Sequence, residues 1–387
     1  MNRRRLFLSI SVVAVFAGIA FSPLRFLVLG VFERQHFYHG MPSSYWSFAI
    51  QEWIRNITKE RSRPPAGLDE AMDYFGVGSD VPPVLRRDTS AVPVLCDLLE
   101  DQDEMVRWHA AAELGRIGPG AKDAIPGLLN VLAGKDQYSR PCAAIALGRI
   151  GADAKVAIPT LLNLLNHGEV GVRIEAARAL WLTTHDAEAA VPVLVQVLGL
   201  PDGERRWEAL AVLAAIGSQA ESAIPAITRM TKDELVMVRI YAADALWKVS
   251  QRAEAAVAVL SEALTDESDS MRSDAARTLG RMGGAAKQAL PAVKKALRDK
   301  SEWVRLDAAE AVWKIEPGAD EVLPVLRELV KSKASSRRER AVKLMGQMGE
   351  AAKPAVSEIA NLLGDPEPSV RTAAAQALKK IDTETPK

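Results

Sequence analysis

The sequence predicts an all-α fold, a right-handed α-solenoid (α-α superhelix) of about nine helical hairpins of 33 residues each. Three observations carry that expectation. Arginine recurs every 33 residues, at Arg107, Arg140, Arg173, Arg206, Arg239, Arg272, Arg305, Arg338 and Arg371, with no insertion. Three residues after each stands an alanine (Ala110 through Ala374), and seven after stands a large aliphatic residue (Leu114 through Leu378). Fourteen residues before the arginine a proline recurs at 93, 126, 159, 192, 225, 291 and 324, with Ala258 and Ser357 as exceptions. A fixed period of this length, carrying helical hydrophobic spacing, marks a chain of stacked two-helix units.

In chain order, residues 1–32 come first as a separate object. Arg3, Arg4 and Arg5 precede an apolar run from Leu6 to Phe21, and a second stretch, Phe26–Phe32, follows Pro23 and Arg25. The first run falls short of the ~20 residues that span a bilayer. Two readings stand. It is a secretory signal, with Gly18 and Ala20 near a cleavage point, or an uncleaved anchor that continues to Phe32 with Arg25 at the interface. Either keeps the triple arginine cytoplasmic and sends the rest across. The expected location is therefore membrane-anchored, single pass with a cytoplasmic N-terminus, or secreted or periplasmic.

Residues 33–90 fall outside the register and are expected to form a juxtamembrane segment and an N-terminal cap. Ser44–Ile57 reads as an amphipathic helix and Leu68–Phe75 as a short second one, with Pro64-Pro65 and Pro82-Pro83 as breaks. A stacked array needs such a cover on its first apolar face.

Residues 91–383 form the array. After each arginine, apolar residues at offsets 3, 4, 7 and 10 make one helical face. After each proline a second apolar stripe begins, with proline in the first turn, where its missing N–H costs nothing. Gly118, Gly151, Gly217, Gly283 and Gly349 stand between helices and are expected to end them in the left-handed conformation. Residues 384–387 read as a frayed tail.

The nine arginines open the second helix on its core side, where a charge needs a partner. Asp101, Asp233, Asp266, Asp299 and Asp365 each lie six residues ahead of one. The expectation is an Arg–Asp ladder clamping successive turns, with each guanidinium also capping carbonyls of the first helix. At offset 8, Trp181, Trp247 and Trp313 alternate with Gly115, Gly148, Gly280 and Gly346, as if bulk there sets the spacing between repeats.

Little in the sequence points to chemistry. Lys+Arg and Asp+Glu balance at 49 each, so no global field draws nucleic acid. The two cysteines, Cys96 and Cys142, read as small buried hydrophobes, with pairing in an oxidising compartment as the alternative. Neither a phosphate-cradling GxxxxGK[ST] loop, a GxSxG elbow nor a GxGxxG fingerprint occurs. The histidines, His36, His39, His109, His167 and His185, show no HExxH or HxH spacing. No catalytic residue, metal, cofactor or small-molecule substrate is therefore expected. The basic cluster Lys331, Lys333, Arg337, Arg338, Arg340 and Lys343 reads as a solvated face, with an anionic protein or lipid surface as the alternative.

The pattern Asp-x-x-x-x-Val-Arg-x-x-Ala-Ala-x-Ala-Leu-Gly-x-Ile-Gly, followed by Ala-Ile-Pro-x-Leu, resembles the HEAT repeat. More narrowly, it is similar to the short HEAT-like repeats of bacterial proteins and phycobilisome lyases, as in Asp101–Gly118 and Gly283–Val304. The resemblance implies binding, with the second helix lining a concave surface. On that helix offset 2 carries Glu175, Glu208, Asp274 and Asp307, and offset 9 carries Arg116, Arg149, Lys248, Arg281 and Lys314. These are the candidate partner-binding residues, expected as two exposed stripes of opposite sign. Intrahelical pairs such as Asp244–Lys248 and Glu310–Lys314 are the plainer reading of the same residues. The His-Glu dyads of the HEAT-like di-iron hydroxylases are missing, so that activity does not transfer. A tryptophan-lined basic surface also resembles the HEAT-like DNA glycosylases, but export and zero net charge argue against nucleic acid. The expected function is a non-catalytic scaffold or adaptor for a protein partner. The alternatives are a HEAT-like lyase or oxidoreductase-type enzyme, disfavoured by the missing dyads, and a structural envelope component.

Overall fold

In the computed structural model, which describes residues 37–38, 41–60, 88–134, 136 and 138–383, the nine register alanines from Ala110 to Ala374 are all fully buried. A methyl side chain lets two helix backbones approach closely, so alanine at this offset fixes the stacking distance. The aliphatic residues at offset 7 are buried too, except Leu378, which is half-buried. The fold is an all-α repeat array of the solenoid class. The segment 1–32, the helix expected at Leu68–Phe75 and the tail 384–387 lie outside the described residues.

The chain divides into two compact units, Met1–Leu194 and Val195–Lys387. The first begins with a two-residue antiparallel pair, Phe37–Tyr38 with Met41–Pro42, and the helix Ser43–Glu60. That helix packs on the first repeat and buries Trp46 and Ile50, so apolar surface at the start of the array is covered. Three hairpins follow, Val92–Leu98 with Glu104–Ile117, Ile125–Ala133 with Ser139–Ile150, and Ile158–Leu164 with Val170–Thr184. The division between units falls within the helix Ala190–Leu198.

The second unit continues with Gly203–Ile216 and then five hairpins. Their second helices are Val236–Ser250, Asp269–Met282, Glu302–Ile315, Ser335–Met348 and Pro368–Thr383. The run Gly203–Met230 is long and apolar enough to cross a membrane, but half of its apolar window is buried within the protein.

Proline placement explains the first helices. Where it is present it sits in the first turn, as in Ile125–Ala133 and Leu290–Ala296. Where Ala258 replaces it, the helix starts earlier and reaches eleven residues, Ala253–Ala263.

The inter-helix glycines differ from the expectation. Gly118 has φ 69° and ψ −131°, and Gly283 has φ 55° and ψ −133°, which is the mirror image of the extended region and not the left-handed helical one. Only glycine enters it without a Cβ clash. From each glycine a 3₁₀ segment leads directly into the next first helix, as in Gly118–Ala124. The left-handed helical caps are instead His185 and Gln251, at the ends of two tryptophan-bearing helices.

Bulk at offset 8 sets how near the next second helix stands. A Cβ added at Gly115 would lie 3.2 Å from the Ala146 Cα, at Gly280 3.0 Å from the Ala311 Cα, and at Gly346 2.9 Å from the Ala377 Cα. Trp247 and Trp313, half-buried against the core, replace that glycine elsewhere. There Val236–Ser250 touches Asp269–Met282 only lightly, as Glu302–Ile315 does Ser335–Met348.

Candidate protein-binding face

The register arginines hold the turns from which the second helices spring. Each donates from Nη1 to the carbonyl of the residue six positions earlier. The acceptors are Asp101 for Arg107 and, at 2.7–3.2 Å, Gly134, His167, Leu200, Asp233, Asp266, Asp299, Ser332 and Asp365 for the rest. The carboxylate one would assign to the same arginine is used by the arginine of the preceding repeat. Arg272 grips Asp299 with Nε and Nη2 at 2.7 and 2.8 Å, Arg338 grips Asp365 at 2.8 and 2.7 Å, and Arg206 reaches Asp233 at 3.0 Å. In the first unit Arg107 and Arg140 reach Asp136 and Glu169 in the same way.

The aspartate closes the rung by accepting from its own turn. The Ser301 N–H donates to Asp299 at 2.8 Å and the Glu367 N–H to Asp365 at 3.0 Å. Arg272 and Arg338, donating hydrogen bonds, hold the Asp299 and Asp365 carboxyls below the usual carboxylate range. Among the described residues Arg239 bonds only the Asp233 and Glu234 carbonyls, and at the corresponding point beyond Arg305 stands Ser332, which donates to Glu302 instead. Asp101 and Asp266 use their carboxylates on the Asp103 and Ser268 N–H groups of their own turns.

On the second helices the two expected stripes are not equivalent. Glu175 and Asp307 are only 5% and 2% exposed, which corrects their assignment to a solvent-facing ladder. The acids at offset 2 are drawn into ion pairs, across to the neighbouring second helix at Asp307 and within their own helix elsewhere. Asp307 accepts from Ser273 on one side and from Arg340 at 2.7 Å on the other. Glu175 pairs with Arg178 at 2.9 Å, Glu208 with Arg205 at 2.8 Å, and Asp274 with Arg277.

The cations at offset 9 stand further out. Arg149, Arg281 and Lys314 are exposed, Lys248 is half-buried, and Arg116 is half-buried against Glu113. Their own partners lie lower on the same face. Lys248 meets Asp244 at 2.9 Å, Lys314 meets Glu310 at 2.6 Å, and Arg281 reaches Asp244 at 3.7 Å. Burial works to raise the Glu310 carboxyl, but hydrogen bonds from Lys314 and Arg340 outweigh it and hold it low.

Much of the basic cluster at 331–343 is neutralised locally. Arg337 pairs with Glu302 and lies over Trp303, Arg338 with Asp365, Arg340 with Asp307 and Glu310, and Lys343 with Glu339. Arg340 as the neutraliser of Asp307 is the residue the stripe reading missed. Its signal was present, because it occupies the same offset as Asp307 one repeat later with the opposite charge.

In the first unit offset 2 carries His109 and Cys142, both buried. Cys142 and half-buried Cys96 are free thiols, pushed up to about 12 and about 11 chiefly by burial. His109 is pushed down to about 4, by burial first and by Arg116 second. The folded chain thus keeps this imidazole neutral where the unfolded chain, titrating near its ordinary 6.5, would protonate it. Stability from this group is whole above the unfolded value and falls as pH drops towards the folded one, by roughly 3 kcal/mol in all. Urea titrations between about pH 7 and pH 5 should show that slope in the native chain and a flatter one in His109→Gln. Equal slopes would clear His109 of the role.

The profile of HEAT repeats matches residues 84–148, 158–236, 227–313 and 257–346, and a second HEAT-repeat profile matches 355–382. No curated protein matches the chain significantly. Among solved structures the chain is similar to an engineered protein, at 24% identity and TM-score 0.35 over 88% of this chain and 96% of that one. It is also similar to the CpcE–CpcF complex of phycocyanin lyase from Nostoc sp. PCC7120, at 24% identity and TM-score 0.41 over 66% and 94%. A third similarity is to importin beta, at 15% identity and TM-score 0.44 over 75% of this chain and 45% of that one.

Proposed function

The chain belongs to the HEAT-repeat family, and from that premise we propose that it is a non-catalytic scaffold or adaptor. It holds a protein partner on its second-helix face, at the extracytoplasmic side of a membrane reached through residues 1–32. One observation carries the reading of the face. Its acids are consumed by ion pairs within the protein, whereas Arg281 and Lys314 keep exposed ends on consecutive repeats of the second unit, and Arg149 keeps one in the first. Exposed charge in a fixed array gives specificity and steering more than raw affinity, which suits an adaptor.

A single experiment in the native cells addresses both parts. Arg281→Cys on the face and Lys295→Cys on a first helix are each treated with a membrane-impermeant thiol-directed photo-crosslinker. Labelling of both cysteines in intact cells is the outcome expected for an extracytoplasmic array. A discrete protein adduct is expected from position 281 and not from 295. Protection of both sites would contradict the location, and indistinguishable adducts from both would contradict the face.

A further inference from the structure

We infer that the segment docking on the second unit is acidic and extended, with carboxylates about three residues apart, set across Lys248, Arg281 and Lys314. The inference rests on the partner-binding reading above and gives that partner its chemistry.

The three cations stand at the same offset on consecutive second helices, Val236–Ser250, Asp269–Met282 and Glu302–Ile315, and their side chains are 38%, 52% and 44% exposed. Of the carboxylates around them, Glu310 is 31% exposed and held by Lys314 and Arg340, and the other two are turned inward. Asp244 is 9% exposed beneath Lys248 and Arg281, and Asp307 is 2% exposed between Ser273 and Arg340. An approaching chain therefore meets ammonium and guanidinium ends first. Arg281 is the least committed, with Asp244 at 3.7 Å and the Thr278 hydroxyl at 2.9 Å. Half-buried Trp247 and Trp313 immediately precede Lys248 and Lys314 and supply apolar surface beside them.

Spacing selects the form of the ligand. Packed helices lie roughly 8–10 Å apart, as expected for the closely packed pair Asp269–Met282 and Glu302–Ile315, whereas Val236–Ser250, which touches Asp269–Met282 only lightly, stands further off. An extended chain rises about 3.3 Å per residue, so side chains about three residues apart meet Arg281 and Lys314, and Lys248 meets one farther along. Each strand of duplex DNA carries a phosphate about every 3.4 Å of helix rise, far denser than the cations. A protein segment with Glu or Asp at every third position fits both the sign and the interval.

The test uses the full-length chain and a fluorescent fifteen-residue peptide with glutamate at every third position among serine, threonine and glycine. Fluorescence anisotropy should show saturable binding that weakens with added salt. The Arg281→Glu/Lys314→Glu double variant should bind about ten-fold more weakly or worse. The milder Arg281→Gln/Lys314→Gln variant, with its thermal melt measured alongside, separates lost recognition from lost folding. No binding, equal binding of a peptide with lysine in place of glutamate, or an unchanged Kd in a folded double variant would overturn the inference. So would tighter binding of a fifteen-nucleotide oligo-dT. A protein adduct from position 281 combined with any of these results removes the acidic segment and leaves the adaptor reading standing.

Discussion

Arg272→Ala is expected to destabilise the second unit by about 3–5 kcal/mol, the range seen when one partner of a buried ion pair is removed. Arg272 is itself buried, joins the Asp266 and Glu267 carbonyls, and grips both oxygens of Asp299 in the next repeat. Deleting the guanidinium strands the Asp299 carboxylate and uncaps two carbonyls at once. The protein supplies its own control. Arg239 occupies the same register position but bonds only carbonyls, so Arg239→Ala should cost nearer 1 kcal/mol. Urea unfolding followed by far-UV circular dichroism compares the two, and equal losses would show that the inter-repeat carboxylate adds nothing. The apolar double replacement Arg272→Met/Asp299→Leu should recover much of the loss, because it removes both desolvated charges together. Acid should act on the same rung. With its folded pKa depressed, Asp299 contributes stability that is complete above the unfolded carboxylate value and is lost as pH falls below it towards the folded one.

The second large effect is steric. Gly346→Leu should cost about 2–3 kcal/mol or more and release the last hairpin. Its first added carbon would lie 2.9 Å from the Ala377 Cα and 3.0 Å from the Ala377 Cβ. Backbone cannot swing aside as a flexible side-chain end can, so Ser335–Met348 and Pro368–Thr383 must separate. In a repeat array each unit depends chiefly on its nearest neighbours. Hydrogen exchange should therefore rise in Pro368–Thr383 well before it rises in Val236–Ser250. Gly284→Ala, where an added Cβ meets nothing within 4 Å, should leave both helices protected. Uniform deprotection along the chain, or none, would contradict nearest-neighbour coupling.

Period and helix type were plainly written in the residues. Nine arginines, nine alanines and the recurring prolines state a local rule that every repeat must satisfy alone, so one copy confirms the next. The carbonyl capping by arginine was legible for the same reason, since donor and acceptor are six residues apart. The destination of the aspartates was not. Asp299 lies six residues from Arg305, its own repeat's arginine, and only stacking brings Arg272 of the previous repeat, 27 residues away, onto it. Gly118 was legible as a stop but not as a mirror-region one, because ψ depends on the 3₁₀ segment that follows.

The candidate face divides along the same line. Sequence alone determined which residues share a helix offset, and therefore that acids and bases form rows. Tertiary packing decided which row meets water. Offset 2 leans into the neighbouring second helix, where Arg340 neutralises Asp307 and Ser273 donates to it, while offset 9 lies where Arg281 and Lys314 stay exposed. A helical wheel knows one axis and cannot register the side chain that arrives from the adjacent repeat. Burial is a property of pairs of helices, and it turned two apparent stripes of opposite charge into one basic row.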